Sequence, residues 1–308
     1  MTGGRDAGPR VPFIVKVAAV WVVLLAAVFW VFLQLGLDTQ FMRDNLRFVA
    51  LGLPITIWVS IASILLAVPL ALLGALGRLS KNPVSYGLAT FYTSFIRGTP
   101  LIVQIVFVYL ALPQIAIAGP EWLERFLILG AITSGILALG VNYGAYMTEI
   151  FRAGIQSVSH GQLEAAHALG MTYGQTLRRV VVPQAIRVII PPVGNEYIAV
   201  LKDSSLIGVF GATEMYWRAT TVGARDFRYI EALIMLAGMY WILTTIFSFF
   251  QSRLEARLSK GFVRATAVSR GKPRPGVGAE STGQSGAVQV EVPHTEITGG
   301  PELPGQGH

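Results

Sequence analysis

Stretches of about twenty apolar residues, each bounded by charge, recur along this chain, and that is the length an α-helix needs to cross ~30 Å of hydrocarbon. Five are plain: Val17 to Leu33, Phe48 to Gly77, Gly98 to Ala118, Phe126 to Thr148 and Ala232 to Ser252. A sixth, weaker stretch from about Ala185 to Ala212 carries Glu196, Lys202 and Asp203 in otherwise apolar surroundings. With 53% hydrophobic and only 13% charged residues and a mean hydropathy of +0.57, the composition excludes an ordinary water-soluble domain. The expected fold class is an all-α membrane protein of about six transmembrane helices.

Charge placement sets the expected topology. The net charge of +7 is not read as a nucleic-acid footprint, because the basic residues sit in short connections and after the last span. With the amino terminus inside, Arg78, Lys81, Arg152, Arg178, Arg179 and the Arg253, Arg257, Lys260, Arg264 cluster all face the cytoplasm, as the positive-inside rule asks. Asp38, Asp44, Glu121 and Glu124 then lie outside, together with Arg218, Arg225 and Arg228. Both termini are therefore expected in the cytoplasm. Arg5 and Arg10 precede the first apolar run as in a signal peptide, but the run exceeds the usual ~7 to 15 residues and no small-residue cleavage pattern follows it. It is read as a retained anchor. The chain has no cysteine, so disulfides, thiolate metal sites and thiol catalysis are excluded.

Three regions are expected: residues 1–45 as a cytoplasmic segment plus an extra helix, 46–258 as the transmembrane core, and 259–308 as a cytoplasmic tail. From about Thr266 the tail is rich in Gly, Pro, Ser and Thr, and is expected to be disordered.

The connection between the fourth and sixth stretches, roughly Glu149 to Pro183, is far longer than joining two helices requires. Ser159 followed by Gln162 predicts a capping box opening a short helix to Leu169, with Glu164 in its first turn. Gly170 predicts a left-handed helix end, and Thr172 with Gln175 a second capping box. Arg178 and Arg179 are expected near the carboxyl end of that second helix, with Pro183 at its limit. The result is a helix–turn–helix at the membrane surface; lying on the headgroups is the bland alternative.

Glu164-Ala165-Ala166, Gly170, and then Val180-Val-Val-Pro183 resemble the EAA loop of integral subunits of ATP-binding-cassette importers. Phe95-Ile-Arg-Gly-Thr-Pro-Leu-Ile102, Gly144 to Gly154, Gly161 to Ala166 and Lys202-Asp-Ser-Ser-Leu206 further resemble polar amino acid permeases of the histidine, glutamine and arginine type. The resemblance runs from about Leu46 to Leu258. It implies a five-helix core, to which the first helix is an addition, and residence in the bacterial cell membrane. It also implies that Glu164, Ala165, Ala166, Gly170 and Pro183 belong to a coupling helix docking on a cytoplasmic ATPase. Further implied partners are an extracytoplasmic solute-binding protein and a second permease subunit, identical or similar. No phosphate loop G-x-x-x-x-G-K-[ST] occurs, so ATP is expected on the partner subunit and no cofactor on this chain.

Candidate pathway residues are those whose polarity is costly in a span. Asn142, Tyr146 and Glu149 recur at helical spacing on one face, with Glu149 also within reach of Arg152. Asn195, Glu196, Lys202 and Asp203 lie in the weak span, where an uncompensated charge costs about 2.5 to 3.5 kcal/mol on insertion scales, and each needs a partner or water. Lys202 and Asp203 are sequence neighbours and do not face each other on a helix. Thr99 is expected to cap the helix that starts at Pro100, with Arg97 beside it. His160 and His167 have no further ligand nearby and are read as surface residues, not metal ligands. The competing functions are a secondary transporter or channel independent of ATP, disfavoured by the absence of an inverted repeat, and a membrane enzyme, disfavoured by the lack of clustered catalytic groups.

Overall fold

The structure is a computed structural model describing residues 12–34 and 36–258. Its elements in chain order are α1 (Phe13–Gln34), α2 (Thr39–Ala50), α3 (Leu53–Leu79), α4 (Pro83–Gly98), α5 (Leu101–Val106), α6 (Leu112–Ile117) and α7 (Glu121–Leu127). Then follow α8 (Ala131–Gln156), α9 (His160–Ala168), α10 (Tyr173–Thr176), α11 (Val182–Asp203), a 3-10 segment (Ser204–Phe210), α12 (Met215–Arg225) and α13 (Tyr229–Leu258). Single π-turns at Phe107–Ala111 and Leu177–Val181 join α5 to α6 and α10 to α11. No strand occurs among the described residues. The expected tail lies outside them.

Small residues let three helices approach closely at the centre, the usual solution where lipid removes a hydrophobic drive between helices. On α8 a β-carbon at Gly140 would come 2.6 Å from the Leu66 side chain, and one at Gly144 2.9 Å from Leu70. Thr148 fills the space left by Gly74. These contacts set α3 and α8 parallel, with Leu66, Leu70 and Gly74 facing Gly140, Gly144 and Thr148 in the same order. On its other side α8 runs antiparallel to α11: Ile189 abuts Gly154, Asp203 reaches Tyr143, and Ile207 abuts Gly135. Val59, Ala67, Ala71, Leu139, Met147, Val200 and Ile207 close the core between them. Outward, Leu65, Leu73, Leu88, Phe91, Trp241 and Phe250 are exposed, a surface that suits hydrocarbon and not water.

Two helices, α3 and α13, are long and apolar enough to span a membrane alone. Two bent helix pairs are long and apolar enough only when taken together: α4 turns by 104° into Leu101–Ile117, and α7 by 76° into α8. The expected third span, Gly98 to Ala118, is therefore only the second limb of a bent pair. The expected fourth span, Phe126 to Thr148, is displaced, because its helix begins at Ala131 and continues to Gln156. The weak stretch is one helix to Asp203 and then a 3-10 turn closed by Gly211 in the left-handed region, φ 88°. Both π-turns sit just before a proline, Pro113 and Pro183. Proline lacks the N–H for the helical ladder and its ring crowds the carbonyl four residues back. A widened turn, in which Leu112 N–H bonds Phe107 O and Val182 N–H bonds Leu177 O, relieves that crowding and lets the helix continue. Arg178 and Arg179 accordingly lie in mid-helix, not at the carboxyl end that sequence placed there.

At the end away from the α9–α10 hairpin, two amphipathic helices, α2 and α12, occupy what reads in sequence as charged loops. Asp38 caps α2 by accepting from Phe41 N–H at 2.9 Å and meets Arg228 at 3.5 Å. Glu214 caps α12: its fully buried carboxylate accepts from Tyr216 N–H and Trp217 N–H at 2.8 Å each and from Tyr240 Oη at 3.1 Å. That one side chain ties α12 to α13. Glu214→Ala leaves two part-buried amides and a part-buried phenol without this acceptor, a loss of about 2 to 4 kcal/mol. The expected result is a thermal midpoint in detergent lowered by several degrees; an unchanged midpoint would refute the assignment.

Candidate functional site: a hairpin and a mid-membrane cavity

The hairpin is built by local chemistry. Ser159 stands at the cap of α9, but its side chain makes no cap bond, so the capping box expected with Gln162 is not formed. Gln162 N–H bonds the Ser159 backbone carbonyl instead, at 3.1 Å. α9 ends in a Schellman motif: Gly170 N–H bonds His167 O at 2.9 Å, Met171 N–H bonds Ala166 O at 3.1 Å, and Gly170 has φ 71°. The second capping box is complete. Thr172 Oγ1 accepts from Gln175 N–H at 3.4 Å and Gln175 Oε1 from Thr172 N–H at 2.9 Å.

Of the hairpin residues singled out in sequence, Ala166 is buried, while Glu164, Ala165, Gly170 and Pro183 are exposed. Leu169 and Tyr173, flanking the turn, are 81% and 78% exposed, and were not singled out. Their apolar type at a hairpin tip was the available signal.

The second feature is a cavity of about 380 Å³ between the α4–α5 bend, α8 and the end of α11, within the range of small-molecule sites. Arg97, Gly98, Thr99 and Pro100 line one side, Asn142, Tyr143 and Tyr146 another, and Glu196 and Asp203 a third. The bend is held by a side chain. Gln104 Nε2 donates to Ile96 O at 2.7 Å and to Thr99 Oγ1 at 2.8 Å, and Asn142 Nδ2 donates to Gln104 Oε1 at 3.0 Å. Thr99 does not cap the following helix as expected. Its hydroxyl donates back to Phe95 O at 3.1 Å and closes α4, leaving Pro100 at the cap position of α5. Arg97 lies over the Tyr146 ring at 5.1 Å, a cation–π contact that leaves its N–H groups free to meet an anion. Tyr143 Oη donates to Asp203 Oδ2 at 2.8 Å.

Four of the seven sequence-level pathway candidates, Asn142, Tyr146, Glu196 and Asp203, are thus brought to one cavity. The other three are engaged or oriented differently. Glu149 pairs with Arg152 at 2.8 Å and Arg78 at 3.4 Å, the local pairing that competed with a solute role. Asn195 and Lys202 are exposed on a neighbouring face of α11. Tyr143 was missed, although it shares the helical face that led to Asn142 and Tyr146. Among the described residues no three His, Asp or Glu side chains are placed to hold a metal ion.

A bundle of apolar helices with a capped hairpin at one end and a two-signed cavity in its middle fits the class of membrane translocation subunits. The family profile described as "Binding-protein-dependent transport system inner membrane component" matches residues 63–260, and the chain belongs to that family. It is 38% identical over 226 residues to the "probable amino-acid permease protein YxeN" of Bacillus subtilis, covering 73% of this chain and 98% of that one. It is also 38% identical over 213 residues to the "arginine transport system permease protein ArgU" of Corynebacterium glutamicum, covering 68% and 67%. Among solved structures it resembles one titled "Crystal structure of an amino acid ABC transporter with histidines", at 35% identity and TM-score 0.65, covering 72% of this chain and 99% of that one. Membership makes the chain an integral membrane permease of an ATP-binding-cassette system, and implies an ATPase partner and a second permease. The ATP-independent transporter alternative is set aside.

Proposed function

We propose that this chain forms the transmembrane pathway for uptake of a polar amino acid, taken up as a zwitterion by the cavity between α4, α8 and α11. The observation that carries this reading is the pairing of charge signs there. Glu196 and Asp203 line one wall, suited to an α-ammonium group, and Arg97 stands at the opposite bend, suited to an α-carboxylate. The first turn of the helix beginning at Leu101 adds a positive dipole end on the same side as Arg97. With two acids against one guanidinium, a cationic side chain fits better than an anionic one.

In this reading the α9–α10 hairpin, with Glu164, Ala165, Ala166, Gly170 and Pro183, docks on the cytoplasmic ATPase. Leu169 and Tyr173 supply the apolar contact. ATP is bound and hydrolysed there, and this chain holds no cofactor. An extracytoplasmic solute-binding protein delivers cargo at the α2–α12 end, and both termini lie in the cytoplasm. Tagged protein purified from its own membranes in mild detergent tests this. The expected result is an ATPase subunit in the eluate, with hydrolysis raised by one amino acid together with its binding protein. Purification of the chain without an ATPase, with ATP-independent uptake in vesicles, would overturn it.

A further inference from the structure

The antiparallel register of α8 and α11 fixes a depth. α8 runs Ala131–Gln156, so Tyr143, which holds Asp203, stands at its middle, about 18 Å from either end at ~1.5 Å per residue. The carboxyl end of α11 therefore lies near the centre of the bilayer. Lys202 is the residue beside it, and its side chain is exposed on the surface of this subunit. No carboxylate of the described residues pairs with it. Asn195, two turns earlier and only about 20° around the helix, is exposed on the same face. The carboxyl end of α11 offers Lys202 some dipole stabilisation, but not enough to leave an ammonium in hydrocarbon. Leu65 and Trp241, exposed near the middles of α3 and α13, show that other sides of the bundle at this depth carry large apolar side chains.

We propose that the Asn195–Lys202 face of α11 is the seam against the second permease subunit, where the Lys202 ammonium meets a carboxylate or carbonyl oxygen of that subunit. A lipid-facing position is ruled out by the cost of the charge at mid-depth. The seam therefore runs along the same helix that carries Glu196 and Asp203 on its adjacent face. Movement between the two subunits would be felt at the cavity through a single rigid element.

This inference rests on the permease reading, and the experiment separates the two. The chain contains no cysteine, so single cysteines serve as unique handles. N195C, K202C and, on the apolar face of α13, W241C are labelled with a benzophenone maleimide in native membranes and irradiated. The expected products are adducts with a permease polypeptide, this chain or a similar one by peptide mass, at N195C and K202C, and lipid adducts alone at W241C. Lipid adducts alone at N195C and K202C, while the ATPase still co-purifies, would overturn the seam and leave the permease reading standing. Loss of the ATPase from the unsubstituted chain would overturn the permease reading itself. As an independent check, K202E is expected to lower recovery of paired subunits at least tenfold while K202R preserves it. Equal recovery for K202E would count against the proposal.

Discussion

Replacing Gly170 with valine is expected to abolish ATP-driven uptake while leaving the subunit inserted in the membrane at its normal level. A β-carbon at Gly170 meets nothing within 4 Å, so the substitution creates no clash. Its effect is confined to the backbone, held at φ 71°. That left-handed conformation costs an ordinary L-residue about 1 to 2 kcal/mol, and a β-branched one more. The cheapest relief is to open the Schellman turn, which breaks the bonds from Gly170 N–H to His167 O and from Met171 N–H to Ala166 O. Leu169 and Tyr173 then lose their fixed relation across the hairpin tip. Uptake is expected to fall by at least about tenfold, the factor that 1.4 kcal/mol represents in an equilibrium. Gly170→Asn should retain most of the activity, because asparagine tolerates the left-handed region. Normal uptake by the valine variant, measured with labelled amino acid in whole cells, would show that hairpin geometry does not govern coupling.

The second large effect is expected at the cavity. Glu196→Gln and Asp203→Asn keep the size and the acceptor oxygen of each side chain and remove only its charge. A hydrogen bond to a charged group contributes about 1.5 to 3 kcal/mol, so each variant should raise the half-saturating amino acid concentration by about 10- to 100-fold. Basal ATP hydrolysis by the assembled complex should be preserved, because neither side chain belongs to the hairpin. Asp203→Asn retains an acceptor for Tyr143 Oη, so a loss of folding is not expected to obscure the readout. A structural role alone would lower subunit abundance and leave the saturation profile unchanged. That outcome would remove both acids from the pathway.

The amphipathic helices α2 and α12 show where sequence reading stopped. Asp38, Asp44, Arg218 and Arg225 were legible as charged connections, and composition alone gave no reason to fold them. Helix formation there depends on burial of Phe41, Val49, Met215, Ala219 and Val222 against Ala232 and Leu236 of α13, more than 180 residues away from α2 in sequence. The two capping boxes show the same division within one hairpin. Thr172 with Gln175 and Ser159 with Gln162 carry equivalent signals, but only the first pair closes reciprocally.

Sequence by itself determined the membrane class, the hairpin with its glycine turn, and the charged residues whose polarity had to be answered inside the bilayer. Span length, helix stops and charge cost are local properties, readable from a window of about twenty residues. Tertiary structure alone decided which of those polar residues meet. The hydrogen bonds from Asn142 to Gln104 and from Tyr143 to Asp203 join positions 38 and 60 residues apart. It also decided that the third span bends at Thr99, that Glu149 is spent on Arg78 and Arg152, and that Lys202 is turned outward from its own subunit. Helical periodicity gives the angle between two side chains on one helix; what each of them faces is set by how neighbouring helices pack.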